Sequence, residues 1–517
     1  MSRNSKGQKK KNRSKNDSKE NAKIKDSSYT PEILDGFVNN GLHYYFGINV
    51  PQDPKKALHY MSVAAEHGSA NGAFYLALFL DKGVGTKVDM DKAFYWMELA
   101  SQRGYPTATF FLSKRFNEGL GVSKDTDKAL ALLKQAVEEG VPEAQFELGA
   151  LYETGDGVDK DVQRAFSLYL LASSQHYGAA SYRLSRFYRE GIHGEKDLAK
   201  ADEYLKKACD EKDPDAWYEV GIPLLNGTNT DEISQGIDAI SQAATYGSAE
   251  AQYVSGLIFF HDLFGVKDYK ISFKNFALSA SKGFPDAMYM LGFMYLFGYG
   301  CNKNYAEAAK LFKRLYAAKY SLAPMALAYI YLNGLGVERS EKHAFAYCEE
   351  AAKSSQIDAI FYLGVFYEKG IGVAKDPAKA ISLYQQAEER NYAQAFYELA
   401  RCYREGIAVE ADPAKALSFL EKAADANYPK GVFDLAVAYD KGDGVDKDLA
   451  KALTLYKKAV QLGELSGAKA LVRLDKEGEQ VFVSPSERTF YERVCAKPIP
   501  MKPVSNSLVF ILPKSMI

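Results

Sequence analysis

Five cysteines, Cys209, Cys301, Cys348, Cys402 and Cys495, are scattered through 517 residues with no recurring pair, and the seven histidines stand singly. There is no Cys-x-x-Cys or His-Glu-x-x-His motif. The chain therefore offers neither a disulfide framework nor ligand spacing for zinc, and no metal and no cofactor are expected. No run approaches the ~20 apolar residues of a membrane span, and no apolar stretch of roughly 7–15 residues follows the N-terminal charges as a secretory leader requires. A cytoplasmic, reducing location is the expectation, with the nucleus as its alternative. No nucleophile sits beside a base in any recognisable pattern, so no catalytic residue is assigned and the chain is expected not to be an enzyme.

A dominant charge is lacking too, since the net is −1, but the balance is uneven along the chain. Residues 1–28 hold ten Lys or Arg against three acids, residues 476–517 hold six against four, and 29–475 are left at −10. The first segment has almost nothing apolar to bury and reads as a disordered basic tail. Its run Lys9-Lys10-Lys11-Asn12-Arg13 is a nuclear address or nucleic-acid contact on one reading and a solubilising tail on the other, and short basic runs favour the second. The last segment is a Pro-rich tail whose Pro485, Pro498, Pro500, Pro503 and Pro513 argue against long helices. Its apolar stretches, Val481-Phe482-Val483 and Leu508 to Leu512, suggest that it folds back on the body, as a cap on the last helix or in a groove. An acidic body with a basic arm points to protein partners.

What the chain has in abundance is internal repetition. Small residues recur at Gly36, Gly72, Ala108, Ala144, Ala180, Ala216, Ala251, Ala287, Ala323, Ala359, Ala395 and Gly431, every step being 36 residues except the 35 between Ala216 and Ala251. These make twelve units, and Gly467 opens a thirteenth. Counting offsets within a unit from its small residue as zero, apolar or small residues at offsets 0, 2, 4, 5 and 8 form one helical face. Offset 11 is glycine in all units but that of Asp262, which suits a left-handed helix end. Offset 17 is Asp, Asn304 or Ser340 in all but the unit with Ile233, which suits the N-cap of a second helix. Small residues at offsets 21 and 28, such as Ala165 and Ala172, let neighbouring helices approach.

Leu148-Gly149, Tyr152, the Gly155-x-Gly157-Val158 loop, Asp161, Ala165 and Ala172 together resemble a Sel-1-like repeat, a relative of the tetratricopeptide repeat. Comparable blocks run from Leu363 to Ala380 and from Leu435 to Ala452, and the resemblance covers Gly36 to about Leu474. It implies an all-α fold, a right-handed α-solenoid of about twelve 36-residue helix-turn-helix repeats over 29–475 with a terminal capping helix. It also implies a non-catalytic scaffold or adaptor for protein–protein interactions. Some members of the family are credited with hydrolase-like activity, but those are cysteine-rich secreted forms with a disulfide in each helix pair, a spacing absent here. The alternatives are a nucleic-acid-associated or nuclear factor using the basic arm and, behind it, a hydrolase-like enzyme.

The offset-17 aspartates are one per repeat and are accounted for by capping, and the Gly-x-Gly loops follow no strand, so neither marks chemistry. Departures from the repeat are more informative. Offset 9 is mostly polar, as at Glu153, Arg189 and Glu368, but turns apolar in four consecutive units at Leu225, Phe260, Leu296 and Leu332. Offset 6, on the same helix face, is apolar there as well at Ile222, Leu257, Phe293 and Tyr329. If first helices line the inner side, as in tetratricopeptide-like solenoids, these eight residues form an exposed apolar strip for a partner, extended by His261 and Phe297 at offset 10. The alternative is irregular packing in the same units. A second departure is Arg186 with Arg189 and Arg401 with Arg404, which present paired guanidinium groups to an anionic peptide or pair with acids such as Glu153, Glu190, Glu368 and Glu405.

Overall fold

In the computed structural model, which describes residues 29–496, the repeats are pairs of helices whose starts are set by side-chain caps. All nine offset-17 aspartates, Asn304 and Ser340 accept a backbone N–H from the first turn of the helix that follows. Asp161, for instance, accepts from Arg164 N at 3.0 Å and opens the helix Val162–Ser174. Ile233 has no oxygen to offer, and the chain solves this by starting earlier. Asn229 accepts from Glu232 N at 2.8 Å and begins the helix Thr230–Tyr246, 17 residues long where the other second helices have 12 or 13.

Ten of the eleven offset-11 glycines take the left-handed conformation. Gly227 does not, because the helix Pro214–Leu225 ends one residue sooner, at Asn226. Asp262, the residue standing where siblings have glycine, adopts the left-handed conformation itself with φ 58°. Two residues further on, at offset 13, the chain turns left-handed again in ten of the twelve repeats. Gly300 shows why glycine is usual there: φ is +68° and a Cβ would run into the carbonyl oxygen of Tyr269, one repeat back. Phe264 (φ 62°) and Ala408 (φ 54°) hold the same turn without glycine.

Twenty-six α-helices and no strand are found among the described residues, and none is long and apolar enough to cross a membrane. The described residues divide into two compact units between Ser248 and Ala249. In the first, the core is built on alanines such as Ala57, Ala93, Ala165 and Ala172, all fully buried, with Met61, Met97 and Tyr169 packed among them. In the second, the same small positions are joined by larger rings, among them Phe276, Phe312, Phe361 and Tyr384. The spacing of ring and backbone is close: a Cβ on Gly149 would lie 2.8 Å from Cε1 of Tyr169.

After the helix Ser466–Lys476 the chain forms one more helix, Pro485–Ala496. Pro485 is its first residue, where a missing N–H costs nothing, so a proline expected to oppose long helices here begins a helix of 12 residues. Val481, Tyr491 and Val494 are buried in one cluster with Leu471 and Leu474, and Lys457 Nζ donates to Glu487 Oε1 at 2.7 Å. Residues 1–28 with the Lys9 to Arg13 run, and Leu508 to Leu512, lie outside the described residues.

Candidate interaction surface

In three repeats the offset-9 acid meets both the offset-25 residue of its own second helix and an arginine of the next first helix. Glu153 shows both contacts: Tyr169 Oη donates to its Oε2 at 2.8 Å and Arg183 Nε at 2.9 Å. Burial alone pushes the Glu153 carboxyl up, but the hydrogen bonds from Arg183 and Tyr169 outweigh it and hold the group below the ordinary carboxylate value. The same trio recurs in the second unit. Glu368 accepts from Tyr384 Oη at 2.8 Å and Arg401 at 2.6 Å, and Asp440 accepts from Tyr456 Oη at 3.1 Å and Arg473 at 2.6 Å.

Where offset 9 is apolar in the second unit, offset 25 has changed with it. Phe260 is matched by Phe276, Leu296 by Phe312 and Leu332 by Cys348. This corrects the expectation of an exposed strip: Leu296 is 2% exposed and Leu332 1%, because an acid–tyrosine joint has been replaced by an apolar one. Leu257, Phe260, Phe293 and Tyr329 are half-buried. In the first unit Ile222 and Leu225 are half-buried too.

What reaches the surface in the second unit is an aromatic ladder running from one first helix to the next. Ring centroids lie 6.1 Å apart for Phe260 and Phe293, 4.6 Å for Phe293 and Phe297, and 6.3 Å for Phe297 and Tyr329. Such pairs are held in edge-to-face or offset geometry by the ring quadrupoles. Tyr299 joins them, 5.6 Å from Phe260, and was missed from sequence although an aromatic in the middle of a Gly-x-Gly loop was its signal. Exposed His261 meets Phe260 edge-on at 4.9 Å. Apart from His261, offsets 6, 9, 10 and 12 of the repeats beginning at Ala251, Ala287 and Ala323 carry no ionisable side chain other than tyrosine.

The paired arginines are engaged with acids of this chain. Arg186 reaches Glu190 at 2.8 Å; Arg189 holds Glu219 of the next repeat and Asp202 at 3.3 Å. Arg401 binds Glu368 at 2.6 Å and Glu398 at 2.8 Å, while Arg404 makes longer pairs of 3.8 Å with Asp434 and Glu405. Glu153, expected to serve Arg186 or Arg189, is taken by Arg183 instead. The pairs Arg189–Glu219, Arg401–Glu368 and Arg404–Asp434 link neighbouring repeats, as the rings do from Phe260 to Tyr329.

No group of three or more metal-ligating side chains is gathered among the described residues. Burial pushes the Cys402 thiol up to about 12 and the Cys348 thiol up as well, which leaves both poor nucleophiles.

A family model described as Sel1 repeat matches residues 41–69, 70–105, 106–141, 142–177, 178–213, 249–284, 285–320, 317–355, 357–392, 393–428 and 429–464. It passes over 214–248, the stretch with the displaced cap at Asn229. Among solved structures, a protective antigen of uropathogenic Escherichia coli displaying an SLR fold is similar with TM-score 0.52 and 24% identity, covering 84% of this chain and 93% of its own, which bears on fold alone. A Sel1 repeat protein from Oxalobacter formigenes is similar with TM-score 0.41 and 25% identity, over 47% of this chain and 96% of its own. No curated protein matches the chain.

Proposed function

The chain belongs to the Sel1 repeat family, and from that premise we propose that it is a non-catalytic scaffold whose aromatic ladder from Phe260 to Tyr329 holds an apolar segment of a protein partner. Sel1 repeat proteins generally mediate protein–protein interactions. The observation that carries the reading is the absence of charge on this face in three consecutive repeats, where the corresponding positions elsewhere hold Glu153, Arg189, Glu368 and Arg404. Rigid aromatic rings with one edge in contact with solvent are common anchors for a partner. The cytoplasm, as expected from the sequence, is the location we assign to this role.

The test is a comparison of full-length wild type with the Phe293→Ser, Phe297→Ser double variant, both checked for native helicity, with a photo-crosslinking side chain introduced at Tyr299. Wild type should crosslink a defined protein through position 299, with retention insensitive to salt, and the variant should lose it. Equal crosslinking by both folded proteins would remove the ladder as the site.

A further inference from the structure

In the same repeats, the loop after the first helix and the second helices also depart from their siblings. Four of the exposed large apolar side chains fall between residues 263 and 278: Leu263 at 43%, Phe264 at 45%, Ile271 at 41% and Leu278 at 40%. Ile271 stands at offset 20, where other repeats place Lys56, Lys92, Lys200 and Lys415, each paired with its own capping aspartate. Phe264 stands in a left-handed turn that Gly300 makes without strain, so its backbone holds an exposed ring at a conformational cost.

The stretch of sequence around these residues is basic. Residues 262–320 hold nine Lys or Arg against four acids, a surplus of +5 inside a body of −10. Those acids are occupied: Asp268 caps the helix Tyr269–Ser281, Asp286 accepts from Tyr320 Oη at 2.5 Å, Asp262 accepts from Lys267 N at 3.2 Å, and Glu307 lies 3.8 Å from Lys310. On the helix Tyr269–Ser281, Lys270, Lys274 and Leu278 follow at four-residue steps with Ile271 beside them, all exposed on one face. On the next second helix, Tyr305–Ala317, Lys310, Lys313 and Arg314 are exposed.

We propose that this face, the loop Leu263–Phe264 with the outer sides of the two helices, docks on an anionic phospholipid surface. Leucine, phenylalanine and isoleucine at such a face enter the boundary between headgroups and acyl chains, while lysines reach the phosphates on their flexible stems. A nucleic acid would satisfy the lysines but leave four apolar side chains without a role. Except for Leu263, at offset 12, the docking residues are not those of the aromatic ladder, and the docking does not depend on a protein partner binding there.

The full chain is sedimented with vesicles of phosphatidylcholine alone and of phosphatidylcholine with roughly one-third phosphatidylserine, at low and moderate salt. Binding is expected to the second kind only and to weaken as salt rises. Lys270→Glu with Lys274→Glu should reduce binding at least tenfold. Leu263→Ser with Phe264→Gly, which relaxes the turn and keeps every charge, should reduce it at least threefold. No binding to anionic vesicles overturns the proposal. So does binding unchanged by the lysine variants, which would assign it to residues 1–28. Binding lost with the lysines but unchanged by the apolar pair also overturns it, and would point to an acidic protein or nucleic acid instead.

Discussion

Tyr169 and Glu153, sixteen residues apart on the two helices of one repeat, are joined by a 2.8 Å hydrogen bond that recurs between Tyr384 and Glu368 and between Tyr456 and Asp440. The tyrosine accompanies Glu153, Glu368 and Asp440, whereas Asp81 has Met97 at that place and pairs with Arg115 at 3.1 Å; Phe276 or Phe312 stands there where the acid has become Phe260 or Leu296. The pair behaves as a unit, since an acid without its hydroxyl, or a hydroxyl without its acid, would be left with a buried unmet hydrogen bond.

This makes a double-mutant cycle at Glu368 and Tyr384 informative. Glu368→Leu alone should cost ~2–4 kcal/mol, because the Tyr384 hydroxyl and one side of Arg401 lose their acceptor. Tyr384→Phe alone should cost ~1 kcal/mol. Arg401 retains Glu398 at 2.8 Å, so the double variant should cost less than the sum by ~1 kcal/mol. Urea denaturation measures all three, and strict additivity would show that the two residues do not act together.

Ala408 holds φ 54° in an exposed turn where Gly300, Gly336 and Gly372 sit without strain. Ala408→Gly should raise stability by ~0.5–1 kcal/mol, the relief of a left-handed alanine exceeding the extra chain entropy of glycine. A lower urea midpoint for the variant would contradict this.

Asp213 caps the helix Pro214–Leu225 from a buried position, accepting from Asp215 N at 3.1 Å and Ala216 N at 2.9 Å. Burial, reinforced by Asp215 and Glu211, raises its carboxyl from 3.8 to about 6 despite those bonds. A raised folded value means that the native state binds the proton more tightly. Stability from this group is therefore complete below pH ~4 and is lost as pH rises through about 6. Asp213→Asn, which still caps, should be more stable than wild type at pH 7.5 by at most ~3 kcal/mol and equal to it near pH 4. Thermal melts at the two pH values decide it.

Helix starts and ends were legible because caps and left-handed turns depend on one residue and its immediate backbone. The same locality explains the exception: Ile233 cannot cap, and Asn229 four residues earlier does so instead. The candidate surface was only half legible. Reading Leu296 and Leu332 against their own helix suggested exposure, whereas their burial depends on a partner sixteen residues away, and the paired change to Phe312 and Cys348 was present in the sequence to be compared. Phe264 was legible only as part of a repeat with a missing glycine. That it keeps the turn, and so carries an exposed ring, follows from backbone angles that composition does not reveal.

The division between Ser248 and Ala249 also decides what light can report. Both tryptophans, Trp96 and Trp217, precede it, so tryptophan emission follows the first unit and is blind to the second. A single Phe293→Trp replacement in a chain whose own tryptophans are changed to phenylalanine would place the one emitter inside the aromatic ladder, where its spectrum registers whatever comes to rest there.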